Sequence, residues 1–199
     1  IGGIRMLNAL NIKPTIYHCN EGHAAFCGLE RLSNYVTKHN LDFDVAKELV
    51  RTSTLFTTHT PVPAGHDAFE ENLMRTYLSH FPGRVNISWE EFMNMGRIRR
   101  DDPNEKFSMS VLAVNLSQEV SGVSKTHGRV SREMFQKMWP GYFAEENHIG
   151  YVTNGVHLPT WADKHWQCLY NDVLGKDYLD NQSDPTVWKK IDRDRKSVV

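Results

Sequence analysis

Apolar residues recur along the chain in two rhythms, and the rhythms alternate. Spacings of three and four place Ile4, Leu7 and Leu10 on one helical stripe, with Asn11 suited to the left-handed end. Ala25, Leu29, Leu32 and Val36 mark a second helix, and 44–53 a short polar-capped third. Phe69, Leu73, Tyr77 and Phe81 predict another, which Pro82-Gly83-Arg84 breaks. Trp89, Phe92 and Met93 suggest a short amphipathic helix, and 97–105 reads as a charged, solvated loop. Met109, Leu112, Ala113 and Leu116 describe one face of a buried helix over 107–116, and 129–138 reads as a further one, closed by Trp139-Pro140-Gly141. Short β-type runs sit between these helices at 15–19, 55–58, 120–124 and 149–153. That alternation predicts an α/β fold, a parallel sheet wound by crossover helices. After Pro159 the strands stop. Trp161, Trp166, Leu169 and Tyr170, then 178–190, read as helices, so a boundary is expected near Leu158, dividing 1–158 from 159–199.

Three of the predicted strands run into polar loops. The first carries Asn20-Glu21-Gly22-His23. The second carries His59-Thr60, stiffened by Pro61 and Pro63, and with Gly65 these forbid regular structure. The third carries Asn154-Gly155, predicted to turn sharply, and His157. In open α/β sheets ligands bind where such loops leave the carboxyl ends of strands.

Composition narrows the ligand. The chain has 199 residues, 40% hydrophobic and 24% charged, with a net charge of -1. A balance this near zero gives no reason to expect nucleic acid or an anionic membrane. No apolar run approaches the roughly 18 residues of a membrane helix, and no signal peptide is visible. Cys19, Cys27 and Cys168 are too scattered for a disulfide scaffold or zinc cluster, and read as free thiols in a reducing cytoplasm. The first residue is not Met and the last five carry no cap, as in a piece of a longer protein.

The loops offer Asn20, Glu21, His23, Thr58, His59, Thr60, His66, Asp67, Thr153, Asn154 and His157, and hardly any Lys or Arg. A phosphate cradle would want a glycine-rich loop and a basic residue at a helix start. A polyhydroxyl ligand such as a sugar wants amides, hydroxyls, imidazoles and a carboxylate or two. Zinc is the rival, through His59, His66 and Asp67 with His18 and His23, but no helical pair of the HExxH kind is present. A GxSxG nucleophile elbow is absent. Glu21 and Asp67 could be paired carboxylates for glycoside hydrolysis, a question of separation. The bland reading, a loop residue holding backbone, suits His18 and His127 better than His23 or His59.

The strings YHCNEGHAAFCGLERL, LFTTHTPVPAGHDAFEENL, FSMSVLAVNLSQEVSGVSKTHGRVSREMF and IGYVTNGVHLPTW resemble the α-glucan phosphorylases, the glycogen/starch phosphorylase family, and most of all its shorter bacterial and archaeal branch. The resemblance runs to about residue 165, in one order and spacing. It implies a GT-B fold of two Rossmann-like domains, of which this chain would hold the later part of the first and the start of the crossover. It also implies reversible phosphorolysis of α-1,4-glucans (glycogen, starch or maltodextrin) with inorganic phosphate, releasing glucose 1-phosphate with retention. Pyridoxal phosphate would be the cofactor, in a cytoplasmic enzyme that is a homo-oligomer.

Carried over by position, His59 matches the family's glucose-contacting histidine, the catalytic candidate, its carbonyl facing the developing oxocarbenium ion. Asn154 matches the residue that binds the glucose 6-hydroxyl. Glu21 and His23 match pocket residues beside that sugar, and Thr60 joins the substrate-binding set. Thr58 stands where the better-studied branch has Asn, so no ligand role carries over, and none is assigned to His66, Asp67 or His157. No lysine here lies in the family's cofactor motif, and the phosphate-binding basic residues are absent. The chain by itself is therefore expected to be inactive. Two other readings are a segment of another retaining GT-B glucosyltransferase, of the glycogen synthase type, and a noncatalytic glucan-binding module.

Overall fold

Cys19, Phe56, Val120 and Ile149 lie side by side across one sheet, and all four are buried. The computed structural model in which they do so describes residues 1–193 apart from Pro63, Ala64 and Asp101. Pro63, expected to stiffen its loop, and the tail 194–199 thus lie outside the described residues. The strands are β1 (Tyr17–Asn20), β2 (Thr54–Thr57), β3 (Ala68–Phe69), β4 (Phe107–Ser108), β5 (Glu119–Gly122) and β6 (Ile149–Tyr151). β1, β2, β5 and β6 form a parallel sheet in that order, while β3 and β4 make a small antiparallel pair. The expected α/β architecture is present: a four-stranded parallel sheet wound by helices, Rossmann-like in kind.

The chain divides into two compact units, Ile1–Thr153 and Asn154–Val199. The first holds the sheet and, among the described residues, eight α-helices: α1 (Gly2–Ala9), α2 (Phe26–His39), α3 (Phe43–Thr52), α4 (Glu71–Leu78), α5 (Phe81–Val85), α6 (Trp89–Asn94), α7 (Met109–Asn115) and α8 (Lys125–Phe135). Leu29 and Leu32 of α2, Leu112 of α7 and Phe135 of α8 share one core with the buried row of the sheet. With the strands in consecutive order, crossovers of the usual right-handed kind put the helices on one face, and the shared core agrees. The other face carries His18, Asn20, Leu55, Thr57 and Gly150, alternating with the buried row as the pleat requires.

The predicted α2 stripe of Ala25, Leu29, Leu32 and Val36 is buried throughout. Asn11 adopts φ 54, as expected of a left-handed end, although Leu10 is exposed. Several expectations need correcting. Phe69 belongs to β3, opposite Phe107, so α4 starts at Glu71. Its buried residues are Met74 and Leu78, while Leu73 and Tyr77 are 44% and 71% exposed. Pro82 does not break the chain. It sits in the first turn of α5, where a missing N–H leaves no bond unmade. The run 97–105 is solvated only in part: Arg99, Arg100, Pro103 and Asn104 are exposed. Arg97 is buried, its Nε donating to the Glu105 carbonyl (2.7 Å) and its Nη2 to Glu71 (3.0 Å). Helix α8 begins four residues before the expected 129, where Ser124 accepts from the His127 N–H. Asn154 and Gly155 are not in a tight turn: neither has positive φ, and irregular chain runs from Val152 to His157.

The second unit is helical, with α9 (Leu158–Trp161), α10 (Lys164–Leu174) and α11 (Pro185–Trp188). The expected helix over 178–190 is divided, because Pro185 disfavours helix in Asp184, which instead caps α11 by accepting from the Thr186 N–H. Tyr170 packs with Trp166, Tyr178 and Trp188 at centroid distances of 5.9, 5.7 and 5.5 Å.

Candidate active site

The loops after β1 and β2 meet at Glu21. Strand β1 ends when Glu21 donates its N–H to the Thr57 carbonyl, and the residue then takes φ 67, ψ 163, a region that ordinarily belongs to glycine. That turn sends its side chain to the neighbouring loop. Oε1 accepts the backbone N–H of His59 at 2.7 Å and the hydroxyl of Thr60 at 3.2 Å. Oε2 is buried without a hydrogen-bond partner. A charge-assisted bond to a backbone N–H is among the stronger hydrogen bonds available.

The far side of the second loop is held as well. The Thr60 carbonyl accepts from His66 Nε2 at 3.2 Å, and His66 Nδ1 lies 2.6 Å from the Ser110 hydroxyl. A carbonyl can only accept, so Nε2 carries a proton and donates it, while the Ser110 hydroxyl, which can donate or accept, meets Nδ1. The imidazole stands edge-on to Phe135, centroids 5.7 Å apart. Ser110 lies in the first turn of α7, whose Met109 N–H bonds to the Asp67 carbonyl at 2.9 Å. Ser110 also underlies Gly22: a Cβ there would come within 2.7 Å of its Oγ. Both loops therefore rest on the same hydroxyl.

Glu21, His59 and Thr60 are thus brought into one hydrogen-bonded cluster, which His66 and Ser110 complete. The His59 imidazole is exposed. His23 is exposed on the 3₁₀ turn Gly22–Ala24 and makes none of the cluster's bonds. Asn154 is exposed in the second unit. Thr58 is wholly buried, its N–H bonded to the Ser121 carbonyl and its hydroxyl unpartnered. His127 Nδ1 accepts the Val123 N–H (3.3 Å), the backbone-holding role expected of it, whereas exposed His18 bonds to a side chain, the Thr57 hydroxyl (2.7 Å). His157 reaches Thr160 (2.7 Å). Among the described residues no group of three or more His, Cys, Asp or Glu is placed to hold a metal.

Across the base of the first loop the Cys19 and Cys27 thiols are 3.4 Å apart, and all three cysteines are free. Their mutual hydrogen bond pushes the Cys19 thiol up and, with Arg31 nearby, draws Cys27 down to about 7. Ser110 and Gly22 escaped the reading of the sequence. Ser110 hid within an apolar helix, 44 residues from its partner His66, and no periodicity links such positions.

Residues 5–198 match the profile of the family described as carbohydrate phosphorylase. The chain belongs to that family. It is 42% identical over 200 residues to the glycogen phosphorylase of Mycobacterium tuberculosis, an alignment covering 96% of this chain and 23% of that protein. To the maltodextrin phosphorylase of Thermococcus litoralis it is 36% identical, covering 97% and 22%, and to the glycogen phosphorylase of Aquifex aeolicus 32%, covering 96% and 27%. This carbohydrate phosphorylase chain spans about a quarter of the length of the curated relatives it matches. The cluster does not suit the phosphate of a pyridoxal cofactor, which calls for cations or free backbone N–H groups. The His59 N–H is already taken by Glu21, and the adjacent unpartnered atom is a carboxylate oxygen.

Proposed function

We propose that residues 1–199 form the sugar-facing part of a retaining α-1,4-glucan phosphorylase of the GT-B type. In this reading the parent enzyme releases glucose 1-phosphate from glycogen, starch or maltodextrin with inorganic phosphate, works in the cytoplasm and assembles as a homo-oligomer. Pyridoxal phosphate would be the cofactor of that enzyme, where its phosphate would serve proton transfer, and none of the described residues is assigned to hold it. The observation that carries the reading is the bond from the His59 N–H to Glu21. It fixes the loop whose wording matches the family's glucose-contacting position.

The roles follow from electrostatics. A carbonyl dipole stabilises a developing cation only when its direction is set before the reaction, since reorienting it during the reaction would cost what it contributes. In this reading the His59 carbonyl is that dipole, its imidazole binds a sugar hydroxyl, and Asn154 binds the 6-hydroxyl. His23 and Thr60 complete the polar lining, and Glu21 borders it.

Steady-state kinetics of the full-length enzyme test the assignment. His59→Ala removes one hydrogen bond to a neutral sugar and leaves the dipole, and Asn154→Ala removes another. Each is expected to cost on the order of 1–3 kcal/mol, roughly 5- to 150-fold in kcat/KM. The Asn154→Ala penalty should shrink with a 6-deoxy sugar, which leaves no hydroxyl unpaired. Near-wild-type rates for both variants would show that the sugar lies elsewhere.

A further inference from the structure

We infer that His66 is a positioning residue. With Ser110 behind it, it holds the carbonyl side of the His59–Thr60 segment while Glu21 holds the amide side. The inference deepens the proposed function and rests on His59 being the sugar-facing residue.

Three observations converge on this role. First, both ring nitrogens are engaged, Nε2 by the Thr60 carbonyl at 3.2 Å and Nδ1 by Ser110 at 2.6 Å. A ring so bonded is not free to exchange a proton with a substrate, so a general acid or base role is disfavoured. Second, the ring is fixed by rigid neighbours, the edge contact to Phe135 of α8 and a hydroxyl in the first turn of α7. Third, the loop is built for close approach. A Cβ at Gly65 would lie 2.1 Å from Thr60 Cγ2, so only glycine lets the chain return beside Thr60 and deliver His66. The peptide joining His59 to Thr60 is therefore bracketed, its preceding N–H bound to Glu21 and its following carbonyl bound to His66.

Anchors on both sides of a peptide restrict its rotation. Releasing one lets the His59 carbonyl sample directions that are useless to a developing positive charge. Binding of the ground-state sugar depends less on that direction, so the loss should fall on kcat more than on KM.

The test uses the full-length enzyme and four variants. His66→Leu keeps an apolar side chain against Phe135 but removes both hydrogen bonds. Its kcat is expected to fall on the order of 10-fold, with KM changed less than about 3-fold. His66→Gln, whose side-chain amide can still donate to the Thr60 carbonyl, should recover to within about 3-fold of wild type. Ser110→Ala keeps the ring and loosens it, with a fall in kcat of roughly 3- to 10-fold. His59→Ala is the reference. Should His59→Ala be impaired while His66→Leu retains the wild-type kcat, the clamp is wrong and the proposed function stands. The clamp is also overturned if His66→Gln is as slow as His66→Leu, or if the loss in His66→Leu lies in KM alone. A wild-type rate for His59→Ala, joined by one for Asn154→Ala in the kinetics above, removes the proposed function and this inference with it. Where His66→Leu does not fold, Ser110→Ala decides: an unchanged kcat overturns the clamp.

Discussion

Single residues carry information here through what they lack. Thr58, beside His59, is 0% exposed and its hydroxyl has no partner, whereas its N–H is bonded to Ser121. A buried hydroxyl without a partner costs stability, because its bond to water is lost and not replaced. Thr58→Val keeps the branched shape and removes that oxygen, so the full-length protein should gain about 1 kcal/mol, with kcat/KM within about twofold of wild type. Thermal denaturation and kinetics on the same preparation check both. A lower melting temperature, or a tenfold loss of rate, would mean that the hydroxyl has a partner in the working enzyme. Residue identity was the most legible level for the loops, since Glu21, His59 and Thr60 were all singled out before their contacts were visible. His66 drew attention but no role, because its partners are a backbone carbonyl and a serine 44 positions away.

At the scale of elements, periodicity found what apolar faces decide and missed what charges decide. The α2 stripe reads directly from Ala25, Leu29, Leu32 and Val36, yet the same helix buries Glu30 and Arg31. Arg5 grips Glu30 through two 3.0 Å bonds. Arg31 bonds to Thr54 and Ser53 and stacks on Tyr17, 3.7 Å from the ring centre. Burial of a charge depends on a partner remote in sequence, which no local pattern contains. Glu71 is the clearest case. It joins α4, α6 and the 97–105 segment by accepting from Arg75 (2.7 Å), Trp89 Nε1 (2.9 Å) and buried Arg97 (3.0 Å). Desolvation pushes its carboxyl up, but the hydrogen bonds from Arg75, Trp89 and Arg97 outweigh that and hold it below the ordinary 4.5. A carboxyl held low stabilises the fold above its unfolded value, and that contribution disappears as pH falls through the lowered one. Glu71→Gln should therefore cost about 1–2 kcal/mol at pH 7, chiefly by leaving Arg97 with an uncompensated charge. The gap to wild type should narrow as pH falls below the carboxyl's ordinary 4.5 and through its lowered value. Urea midpoints of the two full-length proteins at pH 7, 5, 4 and 3 measure it. A gap of constant size down to pH 3 would rule out the carboxylate charge as its source.

At the scale of the whole molecule, strand and helix alternation was enough to foresee the parallel sheet, because each β-type run is short, apolar and separated by a helical pattern. The stripe counted from Phe69 failed for a reason of the same scale. Phe69 is drawn into pairing with Phe107, 38 positions further on, and the helix after it turns a different face inward. Leu73 and Tyr77, left outside, line an apolar hollow of about 410 Å³ with Phe26 and Phe69. Apolar surface gathered in this way marks contact with other protein, or else a site of aggregation. In the proposed enzyme, the roughly three quarters of the relatives' length that this chain does not span provides such contact. Expressed alone, residues 1–199 should therefore bind a hydrophobic dye such as anilinonaphthalene sulfonate strongly and self-associate at micromolar concentration. The full-length protein should do neither. The isolated chain should also release no glucose 1-phosphate from glycogen, phosphate and pyridoxal phosphate. Leu73→Lys with Tyr77→Lys tells a general stickiness from this particular surface: it should suppress dye binding in the isolated chain and destabilise the full-length protein. A dye-silent, monomeric wild-type chain with a sharp thermal transition would mean that these residues are ordinary solvent-facing side chains, and that the first unit needs no neighbour.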